Sequence, residues 1–169
     1  MPAREKGKRQ ADEIDAGLTV PTFPEVISEM REKWESDKSN NDCRFQYACA
    51  LSRSCGIHAE DDKKQAVDHF MYLVHNGIFV RDSLFNLALT EYSLADYEKA
   101  RNHCEDLYRQ DPDNKQIKQL HAAIAYKHQR MLDMQKKDRD TTIGVTLGVG
   151  LTLAAVGVGF LLAGGKKKG

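Results

Sequence analysis

The sequence predicts an all-α protein, in which a bundle of six helices precedes one C-terminal transmembrane helix. Three observations support this prediction. Apolar residues recur at helical spacing up to residue 140, with no strong strand-like alternation. A 34-residue segment has the pattern of a helix–turn–helix repeat. Near the C-terminus, a run of 21 residues contains no charged side chain.

Each helix of the bundle is predicted by its apolar spacing and by the residues at its ends. The first begins at Pro24, since proline is favourable in a first helical turn. Asn76 and Gly77 favour the end of the third helix, and Asp111-Pro112 breaks the chain before the sixth. The positions that predict the six helices are Ile27, Met30 and Trp34; Phe45, Ala48, Cys49 and Ser52; Ala66, Phe70, Leu73 and Val74; Leu84, Leu87 and Ala88; Tyr97, Ala100, Cys104 and Leu107; and Ile117, Leu120, Ile124 and Met131.

Residues 81–114 match a tetratricopeptide repeat in register, and residues 42–76 have the same spacing with a longer turn. Glu91 and Cys104 stand where this repeat usually has aromatic residues. Because two repeats bury too little surface alone, the first and last helices are expected to cap them. The sequence therefore predicts a six-helix tetratricopeptide-like bundle of two repeats plus capping helices. The residues that define the repeat are Leu84, Leu87, Ala88, Tyr97, Ala100 and Pro112.

The chain divides into a flexible N-terminal arm at 1–23, the cytosolic bundle at 24–138, a tail anchor at 139–163 and a basic tail at 164–169. The span at about 143–163 would form a helix about 31 Å long, the thickness of a bilayer core. Its small residues Gly144, Gly148 and Gly159 would allow close helix packing, although frequent glycine also fits a mildly hydrophobic anchor.

Charge and residue patterns exclude several classes of function. The residues before the span carry 22 basic and 25 acidic side chains, which gives no electrostatic basis for binding nucleic acid. The four cysteines form no C-x-x-C pair, and the histidines lack the spacing of a metal site. There is no phosphate-binding glycine loop. We therefore expect neither an enzyme nor a protein that holds a cofactor or metal.

Three segments carry a resemblance to the mitochondrial fission 1 protein family: "FQYACALSRS" (45–54), "LFNLALTEYSLADYEKA" (84–100) and "DPDNKQIKQL" (111–120). The glycine-rich span before "KKK" adds to it. The resemblance covers about residues 24–169. It implies an adaptor on the outer mitochondrial membrane, and often on peroxisomes, that recruits a dynamin-related GTPase or its regulators to divide the organelle. It also implies that the N-terminal arm can lie near the groove and gate it. The lysines expected to direct targeting are Lys166, Lys167 and Lys168.

The repeat register places one face of the fourth predicted helix along the inner wall of a groove. This wall is apolar and aromatic with one acid, which suits an amphipathic partner segment. The alternative is that Phe85 and Leu89 belong to the core. The expected groove residues are Asp82, Phe85, Leu89, Tyr92 and Ser93, with Leu51 carried over from the family pattern.

Two other functions are compatible with the sequence. A tail-anchored receptor for chaperone-delivered precursor proteins would use a similar fold, but it would need lysine, arginine and asparagine to clamp a terminal carboxylate. A protein that remodels lipid through oligomerisation of its anchor would make the span itself the active element. Besides the GTPase or its adaptors, the expected partners are the lipid bilayer and a second copy of the chain in a homo-oligomer.

Overall fold

A computed structural model describes the backbone of residues 2–18 and 20–163 and the side chains of residues 2–18 and 20–139. Within these residues the fold is all-α, as predicted, and consists of seven helices. They are α1 (Ala3–Leu18), α2 (Pro24–Ser36), α3 (Asn41–Ser52), α4 (Ala59–His75), α5 (Val80–Ser93), α6 (Tyr97–Gln110) and α7 (Lys115–Ala163).

Helices α2 to α6 and the first part of α7 are the six that the apolar spacing predicts. Helices α3 and α4 pack together as the first pair, and α5 and α6 as the second. Helix α4 packs on α5, and α3 also contacts α5, so the first helix of one pair lies against the first helix of the next. Helix α2 packs on α3 at the N-terminal end. This stacking buries apolar faces that a single pair would leave exposed.

Two apolar cores hold the helices together, and α5 contributes to both. The N-terminal core consists of Ile27, Tyr47, Ala48, Ala50, Leu51, Ala66, Phe70, Leu73 and Leu87. The C-terminal core consists of Ala11, Leu84, Ala88, Tyr92, Ala100, Cys104, Leu107, Ile117, Leu120, Ala123 and Ile124.

Side chains and turns fix the ends of the helices. The Asn40 side chain accepts hydrogen bonds from two backbone N–H groups at the start of α3, and Asn114 does the same for α7. Helix α4 ends as predicted at Asn76-Gly77. Gly77 has φ +71°, and the Ile78 N–H donates to the Leu73 carbonyl at 2.9 Å. This bond and the left-handed residue are features of the Schellman motif, in which that residue is usually glycine.

Helix α5 ends in the same motif with Ala95 in the glycine position. Ala95 has φ +61°, and the Asp96 N–H donates to the Glu91 carbonyl at 2.9 Å. A left-handed conformation brings the alanine Cβ close to the backbone, which destabilises it relative to glycine.

Residues 3–18 of the predicted N-terminal arm form a helix, which the sequence analysis did not predict. The residues of α1 that face the bundle are Gly7, Gln10, Ala11, Ile14 and Leu18, at helical spacing. Only two of them are large and apolar, so the pattern escapes a search for apolar periodicity. The linker after α1 is fixed to the bundle, because the Thr22 N–H donates to the Arg53 carbonyl at 2.9 Å.

Gly7 allows α1 to approach α7 closely. A Cβ atom at this position would lie 3.2 Å from Tyr126 Cβ and 3.3 Å from the Ala122 carbonyl oxygen. Both distances are tighter than ordinary van der Waals contacts. Glycine is therefore the residue that fits the observed separation of the two helices.

Residues Met1–His128 form one compact unit, and Gln129–Gly169 form a second. Among the residues whose side chains are described, no helix is long and apolar enough to span a bilayer. The predicted span at 143–163 lies outside those residues, as do Gly144, Gly148, Gly159 and Lys166–Lys168.

Shortening a core side chain of α5 is expected to destabilise the whole bundle. Leu87 is fully buried in the N-terminal core, so Leu87→Ala should lower the free energy of unfolding by about 2–5 kcal/mol. Urea titration followed by circular dichroism measures this value. Met71→Ala, on an exposed position of α4, is the control and should change it by less than about 0.5 kcal/mol. Equal effects of both changes would contradict the assignment of Leu87 to the core.

Relief of the left-handed strain after α5 is expected to stabilise the protein. Ala95→Gly should raise the free energy of unfolding by about 0.5–1 kcal/mol, because the strain removed exceeds the added entropy of the unfolded chain. The control is Ala125→Gly, at an exposed position within α7, which should lower it by about 1 kcal/mol. Destabilisation by both changes would argue against the Schellman geometry at Ala95.

Candidate functional site

A groove beside α5 is partly covered by α1. It forms a cavity of about 260 Å³ between the end of α1, the exposed side of α5 and the beginning of α7. Its wall is mostly apolar, and amide side chains from α7 stand at the rim. The lining residues are Ile14, Gly17, Leu18, Arg53, Phe85, Leu89, Gln116, Gln119 and Leu120.

The structure brings two of the predicted groove residues together in this cavity. Phe85 and Leu89 line it, and both also pack against the C-terminal core. Each side chain therefore forms part of the groove wall and part of the packing beneath it. Asp82 is exposed near the start of α5, and Ser93 is half-buried with its Oγ donating to the Thr90 carbonyl. Leu51 is fully buried in the N-terminal core and presents no surface to the groove.

Tyr92 lies under α1 and is linked to it by a polar contact. Its side chain is 3% exposed, and its hydroxyl donates to Asp15 Oδ1 at 2.8 Å. The other oxygen of Asp15 accepts from Lys127 Nζ of α7 at 2.6 Å. Lys127 Nζ also stands 5.9 Å from the centre of the Tyr92 ring. One carboxylate of α1 thus joins α5 and α7.

Burial, and then the hydrogen bond to Asp15, raise the pKa of Tyr92 well above its usual value. The hydroxyl therefore keeps its proton throughout the physiological pH range and remains a donor. A donor of this kind pairs with a carboxylate more strongly than with a neutral acceptor. The contact is therefore a stable link between α1 and the groove wall.

The other contacts of α1 are less favourable. The residues it buries most deeply are Gly7, Gln10 and Ala11, which have little apolar surface. Gln10 is 7% exposed, and its Oε1 has no hydrogen-bond partner among the described residues. A buried acceptor without a partner destabilises the packed state by about 1–3 kcal/mol. Helix α1 is therefore held by a few polar contacts and by Ile14 and Leu18.

Sequence reasoning missed every residue of α1 that contacts the groove. The signal that could have found them is the helical spacing of Gly7, Ala11, Ile14 and Leu18, in which two small residues precede two large apolar ones. The partner of Asp15, Lys127, could not be found from spacing because it lies 112 residues away along the chain.

The described side chains offer no reactive group at this site. Cys49 and Cys104 pack in the two cores and do not line the groove, and burial raises the pKa of Cys49 to about 11 and that of Cys104 to about 12, which favours the protonated thiols. Among the described residues no group of three or more potential ligands could hold a metal ion. This surface is suited to binding, because Phe85 and Leu89 present apolar side chains at helical spacing.

Comparison with known proteins gives the family. Residues 81–130 match the family described as the Fis1 C-terminal tetratricopeptide repeat. The mitochondrial fission 1 protein of Homo sapiens is 28% identical over 155 residues, which cover 88% of this chain and 94% of the relative. That of Eremothecium gossypii is 31% identical over 121 residues, 70% of each chain.

Solved structures share the fold. The crystal structure of the fission protein Fis1 from Saccharomyces cerevisiae has a TM-score of 0.65 at 21% identity and covers 70% of this chain and 92% of its own. Yeast Fis1 in complex with an Mdv1 fragment has a TM-score of 0.61 at 22% identity and covers 66% and 89%. The resemblance drawn from the three sequence segments is confirmed, and the chain belongs to the mitochondrial fission 1 protein family.

Proposed function

We propose that this chain is a tail-anchored adaptor that recruits a dynamin-related GTPase or its regulators and so promotes organelle division. Its proposed location is the outer mitochondrial membrane, with the peroxisomal membrane as an alternative. The family is a non-enzymatic one, and the yeast Fis1 structure solved with an Mdv1 fragment shows a member bound to another protein. The uncharged residues 143–163 and the lysines that follow support the anchor.

The observation that carries this proposal is the apolar groove wall of α5, covered by a helix of the same chain. Ile14 and Leu18 of α1 line the same cavity as Phe85 and Leu89, so apolar residues at helical spacing already face this wall. A partner segment of the same kind would compete with α1 for the wall. Recruitment therefore requires α1 to leave, which makes α1 a gate.

The contacts of α1 are suited to such a gate. A helix that buries glycine, alanine and an unpaired amide gains less from burial than one that buries leucine. Elements with little buried apolar surface are those that open most readily from a folded protein. Removal of α1 would leave the N-terminal core unchanged, because α1 contributes no residue to it.

The alternative, a receptor for chaperone-delivered precursors, has less support in this groove. A clamp for a terminal carboxylate needs several cationic and amide donors around one point. Among the residues that line the cavity, Arg53 is the single cation, and the amides are Gln116 and Gln119. A peptide with a free C-terminus should therefore bind no better than its amidated form.

The anchor is tested by imaging the full chain in cells with a fluorescent tag at its N-terminus. We expect mitochondrial membranes to be labelled and overexpression to fragment the organelle, whereas a chain that stops after Asp140 should be diffuse and inactive. Replacing Lys166, Lys167 and Lys168 together by serine should misdirect the protein without unfolding it. Labelling confined to the endoplasmic reticulum by the full chain would refute the proposal.

The groove is tested by two variants that both loosen α1 but should have opposite effects on recruitment. Tyr92→Phe removes the hydrogen bond to the Asp15 carboxylate, worth about 1.5–3 kcal/mol, so amide exchange in α1 should become at least tenfold faster and recruitment should rise. Leu89→Arg places a charge on the groove wall, so recruitment should fall at least tenfold although α1 is also disturbed. Hydrogen exchange measures the opening of α1, and co-sedimentation with mitochondrial fission factors measures recruitment.

Two controls and one variant of opposite effect separate these effects from general damage. Tyr108→Phe removes an exposed hydroxyl, and Met71→Arg adds a charge at an exposed position of α4; neither should change exchange in α1 or recruitment. Gln10→Met removes the unpaired acceptor at similar volume, so it should slow exchange in α1 and reduce recruitment. If Leu89→Arg recruits as well as Tyr92→Phe, the partner does not bind this wall.

A further inference from the structure

A second cavity lies between α4 and the turn that joins α5 to α6. Its volume is about 290 Å³, and it shares no lining residue with the groove. Two apolar side chains form part of its wall, and the rest is charged. The lining residues are Glu60, Lys64, Val67, Asp68, Glu91, Leu94, Asp96 and Lys99.

Glu91 is the unusual member of this set, because it is a buried carboxylate with an unused oxygen. The side chain is 3% exposed, and Oε2 has no hydrogen-bond partner among the described residues. Oε1 lies 3.5 Å from Nε2 of His103, so this histidine is a partner of Oε1 and leaves Oε2 without one. A buried carboxylate with an unsatisfied oxygen is strongly destabilised, so a donor at Oε2 would be bound favourably.

The lysines of the cavity are already paired with other acids. Lys64 Nζ is 2.7 Å from Glu60 Oε1, and Lys99 Nζ is 2.6 Å from Asp96 Oδ2. Four carboxylates and two ammonium groups give the cavity a formal charge of −2. Its electrostatic character therefore favours a cation over an anion.

We propose that this cavity binds an arginine side chain of a partner protein, with the guanidinium donating to Glu91 and the alkyl stem lying between Val67 and Leu94. A guanidinium is less strongly hydrated than an ammonium group and has several donors in one plane, so it suits a partly apolar site with a carboxylate at its base. The last torsion of Glu91 is soft, so its carboxyl group can rotate to offer an oxygen to a donor that enters the cavity.

This site is independent of the proposed groove function, since it requires neither the groove nor the anchor. It would give the adaptor a second point of contact, which discriminates partners by one charged residue. Glu91 stands where the repeat usually has an aromatic residue, so the departure from the repeat pattern is what creates the site.

The test uses the full chain, labelled with ¹⁵N in detergent solution, and a capped pentapeptide with one central arginine between alanines. We expect the peptide to shift the amide resonances of Val67, Glu91 and Leu94. The same peptide with citrulline, which keeps the shape but has no charge, should bind at least tenfold more weakly. Equal shifts with both peptides, or none with the arginine peptide, would overturn the proposal.

Variants of the protein locate the site. Glu91→Gln keeps the volume and removes the charge, so the arginine peptide should bind at least tenfold more weakly, whereas Glu98→Gln, an exposed acid of α6, should change binding less than twofold. Asp68→Lys alters only an exposed rim residue and should weaken binding several-fold, most at low salt. Unchanged binding in Glu91→Gln or in Asp68→Lys, or preferential binding of an acidic peptide, would refute the arginine site.

Discussion

The structure depends on the packing of α5 against several neighbours at once. Its buried residues are Ser83, Leu84, Leu87, Ala88, Thr90, Glu91 and Tyr92. Leu87 enters the N-terminal core, while Leu84 and Ala88 enter the C-terminal core, so a single helix couples the two halves of the bundle. The small side chain of Ala88 allows the close approach that this arrangement requires. The groove and the charged cavity lie on parts of α5 that these cores leave uncovered.

This central position explains how two repeats suffice for a stable bundle. Helix α2 and the first part of α7 cover the ends, as end-capping helices do in longer repeat arrays. Helix α1 then adds a further layer over the groove. Because α1 belongs to the same chain, part of the apolar wall is covered without a second protein.

Most of the fold could be predicted from the sequence, because large apolar residues recur at helical spacing in each helix from α2 to the start of α7. Helix α1 could not, since its contact face consists mainly of Gly7, Gln10 and Ala11, which carry no periodic hydrophobic signal. Of the six predicted groove residues, two line the cavity beside α5. Phe85 and Leu89 follow from the repeat register, whereas Leu51 is buried because the N-terminal core closes over it. Glu91 was visible as a departure from the repeat, but its burial and its unused oxygen depend on three-dimensional packing.

Gly7 has no side chain, and this determines how closely α1 can approach the bundle. A methyl group there would require Tyr126 or the Ala122 carbonyl to move by a few tenths of an ångström. If α1 gates the groove as proposed, selection can adjust how readily the gate opens by adding a single methyl group at position 7 of α1. The wall that partners recognise can then keep its sequence while the threshold for recruitment evolves separately.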